Sequence, residues 1–266
     1  MDKSILNKYN NQEEKLILSK VMDKISFCEK RNQIQVTDFL DLAKQELIKK
    51  FLIKQNVNNV KFFGGIEGTE RKALLIYPNK IENLINDNKV SFDEFIKVIR
   101  ITLPNENIGQ YEHRNYLGAL IKLGIKREKI GDILVDKNGA DIIISKEVEK
   151  FLISNLSELT RFQKAEIKTI KLNEIKKVEQ EKETIKITVS SMRLDNIIAE
   201  LAHCSRSKAE EILEDQRVFV NYENITKATK EIKQNDKITI RGKGRFEVKE
   251  ITGNTKKGKI IIQVEH

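Results

Sequence analysis

The chain has 266 residues, 39% hydrophobic and 33% charged, and its 49 lysines and arginines against 40 acidic residues leave a net charge of +9. That length asks for two or three domains at roughly 100–200 residues each, and the positive balance favours a polyanionic partner such as nucleic acid. Other classes are excluded: nowhere do the ~18 apolar residues of a membrane span run together, MDKSILNKYNNQEEK lacks a secretory signal, and Cys28 and Cys204 are too few for a disulfide framework or zinc cluster, which predicts a cytoplasmic chain with core thiols.

In residues 11–30, Leu18, Val21, Met22 and Ile25 recur at helical spacing. Thr37 offers an N-cap for a second helix with Phe39, Leu42, Ala43, Leu47 and Phe51 inward. VKFFGGIEGTERKALLIYP then reads as two strands around a glycine-rich turn, ended by Pro78. Residues 1–90 are therefore expected to form a helix-plus-hairpin unit.

FDEFIKVIRITLP supplies a strand closed by Pro104, and residues 111–123 a helix with Leu117, Leu120 and Ile121 on one side and Gly124 at its end. DILVDKNGADIII is a hairpin around Asn138 and Gly139, followed by a helix carrying Val148, Phe151 and Leu152 and a last strand, EIKTIKL. The order strand, helix, strand, strand, helix, strand over residues 91–172 is that of the split βαβ, RRM-like sheets. NEIKKVEQEKETIK, residues 173–186, mixes both charges with little apolar matter and reads as a linker. The whole is an α+β protein, with a third domain over residues 187–266.

In that domain Leu194, Ile197, Ile198 and Leu201 mark one buried helix face, with Arg193 at its entrance. A second helix starts almost at once. Ser207 and Glu210 fit a capping box, Ser205 is an alternative cap, and Ala209, Ile212 and Leu213 face inward. Either start places Arg206 and Lys208 beside free backbone N–H groups, a seat suited to phosphate. RVFVN and NDKITIRGKGRFEV continue as strands, with glycines between Arg241, Lys243 and Arg245 where a phosphate backbone could come close. Two stretches concentrate cations: residues 241–259 hold seven basic against two acidic residues, and residues 113–129 five against one. In the second, Arg114, Gly118 and Lys122 repeat every four residues, with His113 before them and Lys126, Arg127 and Lys129 after.

The RLD opening, the SRSKA turn, RVFVN and DKITIRGKGRF, in that order over residues 193–246, resemble the S-four RNA-binding domain of ribosomal proteins and RNA-modifying enzymes. Gln216 and Tyr222 stand where that pattern has glycines. FFGGIEGTERKALLIYP, HRNYLGALIKLGIKREKIGDILV and the late TKKGK extend the likeness to the YlmH family of bacterial RNA-binding proteins over nearly the whole chain. The resemblance implies a non-catalytic protein without a cofactor, monomeric away from the ribosome. Its implied partners are rRNA of the large ribosomal subunit, tRNA or peptidyl-tRNA and other quality-control factors, in rescue of stalled translation, with a cell-division link in some lineages. The implied RNA contacts are Arg193, Ser205, Arg206, Ser207, Lys208, Arg217, Asn221, Arg241, Lys243, Arg245, Lys256 and Lys257, with His113, Arg114, Lys122, Lys126, Arg127 and Lys129 in the middle domain.

Two enzyme classes compete with this reading. RLDNII resembles a pseudouridine-synthase motif but lacks the threonine and glycine expected after it, so Asp195 is read as a local cap or ion-pair partner. FFGGIEGTE could imitate a methyltransferase glycine loop, which needs a strand before it and a helix after it. A third class, a protein-interaction adaptor docking through the first helices, needs no RNA.

Overall fold

In the computed structural model, residues 3–87, 90–175 and 183–266 are described. The chain forms two compact units, Met1–Val178 and Glu179–His266. Of the expected linker, residues 176–182 lie outside the described residues.

The first unit opens with α1 (Gln12–Arg31), capped by Asn11, whose side chain accepts the N–H groups of Glu13 and Glu14. Leu18, Val21, Met22 and Ile25 are buried along it, as their spacing predicts. Thr37 is not the next cap. It follows a two-residue strand, β1 (Gln35–Val36), and its hydroxyl accepts Leu74 N–H at 2.9 Å while donating to the Asp38 carbonyl. The sheet thus takes the hydroxyl, and α2 (Leu42–Lys54) starts four residues later behind Asp41, which accepts Lys44 N–H at 2.9 Å. The shift leaves Ala43 exposed and turns Gln45, Ile48, Phe51 and Leu52 inward. The expected hairpin forms from β2 (Val60–Phe63) and β3 (Ala73–Ile76), with β1 added on the far side of β3, and α3 (Glu82–Asn86) follows.

The next elements are β4 (Ile96–Thr102), α4 (His113–Lys122), β5 (Ile130–Asp136), β6 (Gly139–Ser145), α5 (Glu149–Asn155) and β7 (Glu166–Ile170). Their antiparallel order, β5-β6-β4-β7, is that of the RRM-like split βαβ. The β5–β6 turn lies at Lys137 and Asn138, one residue before the expected dipeptide. Asp136 accepts Asn138 N–H at 2.7 Å, and Gly139 already pairs with Asp136. On one sheet face Ile99, Ile101, Ile142 and Ile144 pack under Tyr116 and Leu120 of α4 and Leu152 of α5. Ile121, expected to share that burial, is 46% exposed. The opposite face is also covered: Ile96, Val98, Ile143 and Ile170 meet Phe39 and Ala73 in one core cluster. Beyond them Arg100 grips Asp141 with two 2.7 Å hydrogen bonds and reaches the Glu174 carbonyl at 2.8 Å. The expected division near residue 90 therefore falls inside the first unit.

The second unit begins with β8 (Thr184–Val189), inside the stretch expected as linker. The helix pair α6 (Leu194–Leu201) and α7 (Arg206–Glu214) precedes β9 (Val218–Val220), β10 (Glu223–Asn224), β11 (Lys237–Ile240), β12 (Gly244–Asn254) and β13 (Ile260–Glu265). The antiparallel sheet runs β10-β9-β11-β12-β13-β8. Its core joins the predicted faces of both helices, Leu194, Ile197, Ile198, Leu201, Ala209, Ile212 and Leu213, to Val218, Val220, Ile238 and Phe246. Cys28 is buried in the first unit's core and Cys204 packs against this one, both as free thiols.

Gln216 and Tyr222, the two residues standing in for glycine, both have left-handed backbones, with φ of 56° and 70°. Asn221 and Tyr222 form the two-residue turn between β9 and β10, and Asn221 also has a positive φ, 50°, as a primed hairpin turn requires. The turn geometry is kept while the residue suited to it is missing. Tyr222→Gly is expected to relieve about 1 kcal/mol of backbone strain and to raise the second unit's denaturation midpoint; a lowered midpoint in urea would contradict this.

Candidate nucleic-acid interface

The site in the second unit is built around a carboxylate. Arg193 is the N-cap residue of α6, and Asp195, in the first turn, is fully buried. Asp195 accepts two hydrogen bonds from Arg193 at 3.2 and 2.9 Å, one from Arg206 Nε at 2.8 Å and the Asn196 N–H at 2.9 Å, and it pairs with Arg206 Nη2 at 2.7 Å. Burial raises the affinity of this carboxyl for a proton, but the two guanidiniums and the N–H outweigh it and hold the pKa below its ordinary value. Two arginines share the buried acid, with Glu210 also acting on Arg193, and the cluster fixes the start of α7 against the start of α6.

Ser205, not Ser207, caps α7: its hydroxyl accepts Lys208 N–H at 3.2 Å, leaving Ser207 exposed inside the first turn. The chain leaves α6 through a turn with His203 left-handed, φ 51°, and becomes extended at Ser205, so the earlier serine meets the helix start first. Lys208 lies on this turn but pairs with Glu211, which raises its pKa. Asn221 is held by the fold, since its amide donates to Asp236 at 2.7 Å and its side-chain oxygen accepts Lys237 N–H at 3.0 Å. Its side chain serves the hairpin, whose turn its left-handed backbone helps to form.

Among the described residues Arg217 and Arg241 form no ion pair with a carboxylate, although Glu214 and Asp215 line the same surface depression as Arg241. Arg217 donates to the Arg241 carbonyl at 2.8 Å, and the Arg241 guanidinium lies over the Phe219 ring at 4.9 Å. Neither interaction neutralises charge. Lys243 follows in the β11–β12 turn, and Arg245 lies on β12 with its side chain exposed. Gly242, between Arg241 and Lys243, has φ 81°, so the turn carries no side chain where its backbone meets solvent. Lys256 and Lys257 sit exposed at the tip of the β12–β13 hairpin.

In the first unit the expected middle patch divides. Arg114, Gly118 and Lys122 lie exposed along α4. Arg161, which sequence reasoning missed, completes their groove: it donates to the Asn115 carbonyl at 2.7 Å and stacks on the Tyr111 ring at 5.4 Å. It escaped notice as a lone cation in an irregular segment. Lys126 is exposed in the loop after α4.

Arg127 and Lys129 turn the other way. Arg127 donates to the carbonyls of Ile130 at 2.7 Å and Gly131 at 3.3 Å, beside Arg71, whose guanidinium reaches the Phe39, Arg127 and Ile130 carbonyls. Burial, then repulsion from Arg71, pushes Arg127 down to about 10. Lys129 bridges Asp38 and Glu147. Both residues are engaged in holding the unit together rather than turned out to solvent as the other cations are. Loop cations are short of acceptors only until the chain folds over them. His113, exposed in the first turn of α4, has its pKa lowered by partial desolvation and then by the positive charge of Arg127.

The competing catalytic motifs lack their geometry. Asp195 is enclosed by two arginines with no exposed oxygen to attack a base. The glycine-rich loop joins two antiparallel strands, β2 and β3, with no helix after it to receive a cofactor phosphate. Among the described residues no group of three or more His, Cys, Asp or Glu side chains could hold a metal ion, and no helix is long and apolar enough to cross a membrane.

Comparison with known proteins bears on both units. Residues 91–179 match the family described as "Putative RNA-binding domain in YlmH", and residues 192–238 match the S4 domain. The chain is 26% identical over 260 residues to "Ribosome-associated protein quality control protein P2" of Bacillus subtilis (strain 168), spanning 96% of this chain and 95% of that protein. A solved structure, "Cell division protein ylmH from Streptococcus pneumoniae", is similar at 20% identity and a TM-score of 0.46, covering 63% of this chain and 96% of that one. The chain thus carries two RNA-binding domains in tandem, as its motifs indicated.

Proposed function

We propose that this protein is a non-catalytic RNA-binding factor that docks on the large ribosomal subunit, contacts rRNA and peptidyl-tRNA there, and acts with other quality-control factors in the rescue of stalled translation. The reading rests on one observation above the rest: Arg217, Arg241 and Lys243 form a basic edge of the S4 unit whose orienting contacts are a carbonyl and an aromatic ring rather than carboxylates. Charges held by a carbonyl and a ring rather than locked in ion pairs are available to phosphate, even with Glu214 and Asp215 beside Arg241. Phosphate contacts carry position rather than sequence, so specificity comes from the shape of the folded RNA. The ribosomal destination is supported by the name of the Bacillus relative, which is similar along nearly its whole length.

Salt dependence tests it. With roughly six to ten phosphates neutralised, affinity for purified large ribosomal subunits should fall on the order of a thousandfold or more between 50 and 200 mM salt. A flat response in co-sedimentation would indicate a protein-docking adaptor instead.

A further inference from the structure

The RRM-like half of the first unit cannot use the face on which such sheets stack bases. Its two central strands, IKVIRIT and GADIIIS, contain no aromatic residue. The outer face is buried beneath Phe39 and Ala73, and the Arg100–Asp141 pair occupies the remainder. An RNA contact in this half therefore needs another surface.

Gly118 marks one. It sits inside α4, where glycine is among the least favourable residues, and no packing demands it: a Cβ added there would meet nothing within 4 Å. Around this bare stretch of helix the structure places Arg114 one turn before, Lys122 one turn after and Arg161 across an open groove of about 560 Å³. Arg161 is already oriented by the Asn115 carbonyl and the Tyr111 ring, with no carboxylate partner among the described residues. The one acid paired to the groove's cations among the described residues is Glu112, 3.1 Å from Arg114, with both side chains largely exposed and so weakly coupled.

We propose that this groove seats the sugar–phosphate backbone of an RNA strand, on the helical side of the domain, with Gly118 as the floor that admits the ribose and with Arg161 and Lys122 on its phosphates. The inference rests on the RNA-binding reading above and adds a second contact. Joined to the S4 contact through one chain, it makes the second binding event intramolecular and raises avidity.

Two variants of the full-length chain test it, with purified bacterial large ribosomal subunits as the probe. Gly118→Ala should raise the melting temperature by about 2–4 °C yet weaken binding about threefold or more, because a methyl group is felt in a close contact. Greater stability with poorer binding is a pairing that a merely loose helix would not produce. Arg161→Gln should flatten the slope of log affinity against log salt by about 1. A wild-type chain that binds with a steep salt slope while both variants match it overturns this groove and leaves the S4 reading standing. Weaker binding with an unchanged slope in Arg161→Gln points to a protein ligand and also overturns the groove. No salt-dependent binding by the wild type removes both readings.

Discussion

Asp195→Ala is expected to destabilise the second unit by about 3–5 kcal/mol, the scale of removing one partner from a buried ion pair. Four hydrogen bonds and a further ion-pair contact end on that carboxylate, and its loss leaves two guanidiniums facing each other across the helix junction. Asp195→Asn keeps the shape and one acceptor but not the charge, and should fall between wild type and Ala. Because the folded pKa lies below the ordinary value near 3.8, the carboxylate's contribution is fully present above about pH 4 and is lost as pH falls through the lower folded value. Urea titrations should therefore separate wild type from Asp195→Asn at neutral pH and bring them together in strong acid. An equal midpoint at pH 7 would show that the arginines find other acceptors at no cost.

Reversing the basic edge, Arg217→Glu with Arg241→Glu and Lys243→Glu, is expected to weaken association with large ribosomal subunits by on the order of 10²–10³-fold near physiological salt, and to flatten the salt slope by about 3. Folding should change little. The substitutions remove one exposed hydrogen bond, worth roughly 1 kcal/mol, and one exposed cation–π interaction of about 0.5–1 kcal/mol. Arg206→Glu would be a poor probe of RNA binding by comparison, since it removes a partner of buried Asp195 and so changes stability together with any RNA contact. Unchanged co-sedimentation of the triple variant, with its melting curve intact, would refute the assignment of this edge to RNA.

Helix faces were legible because burial is periodic: the apolar residues of α6 and α7 lie in the core where their spacing put them. The RRM-like strand order was legible for the same reason, with Pro104 marking an end just past β4. Cap positions were less so. Thr37 and Ser207 are good caps in isolation, but the sheet claims the first and Ser205 precedes the second. β8 was hidden because it is short and follows directly on the charged run of residues 176–183, so its Ile185, Ile187 and Val189 read as an extension of the linker. The candidate site divides by direction, which a count of charges cannot carry. Arg127 and Lys129 look like a basic loop but reach inward to carbonyls and carboxylates, whereas Arg161, unremarkable in sequence, turns outward over Tyr111.

The pairing of β8 has a consequence for how the second unit is made. Among the described residues, 184–189 find their only sheet neighbour in 260–265. At about 5–20 residues per second, the roughly seventy residues between them take several seconds to synthesise, and until then β8 has no strand to bond. The helix pair can form early from local contacts, but the sheet behind it closes only after β13 has left the ribosomal tunnel. A translation arrest within this protein's own late hairpin would thus strand a nascent S4 unit with its helices formed and its sheet open.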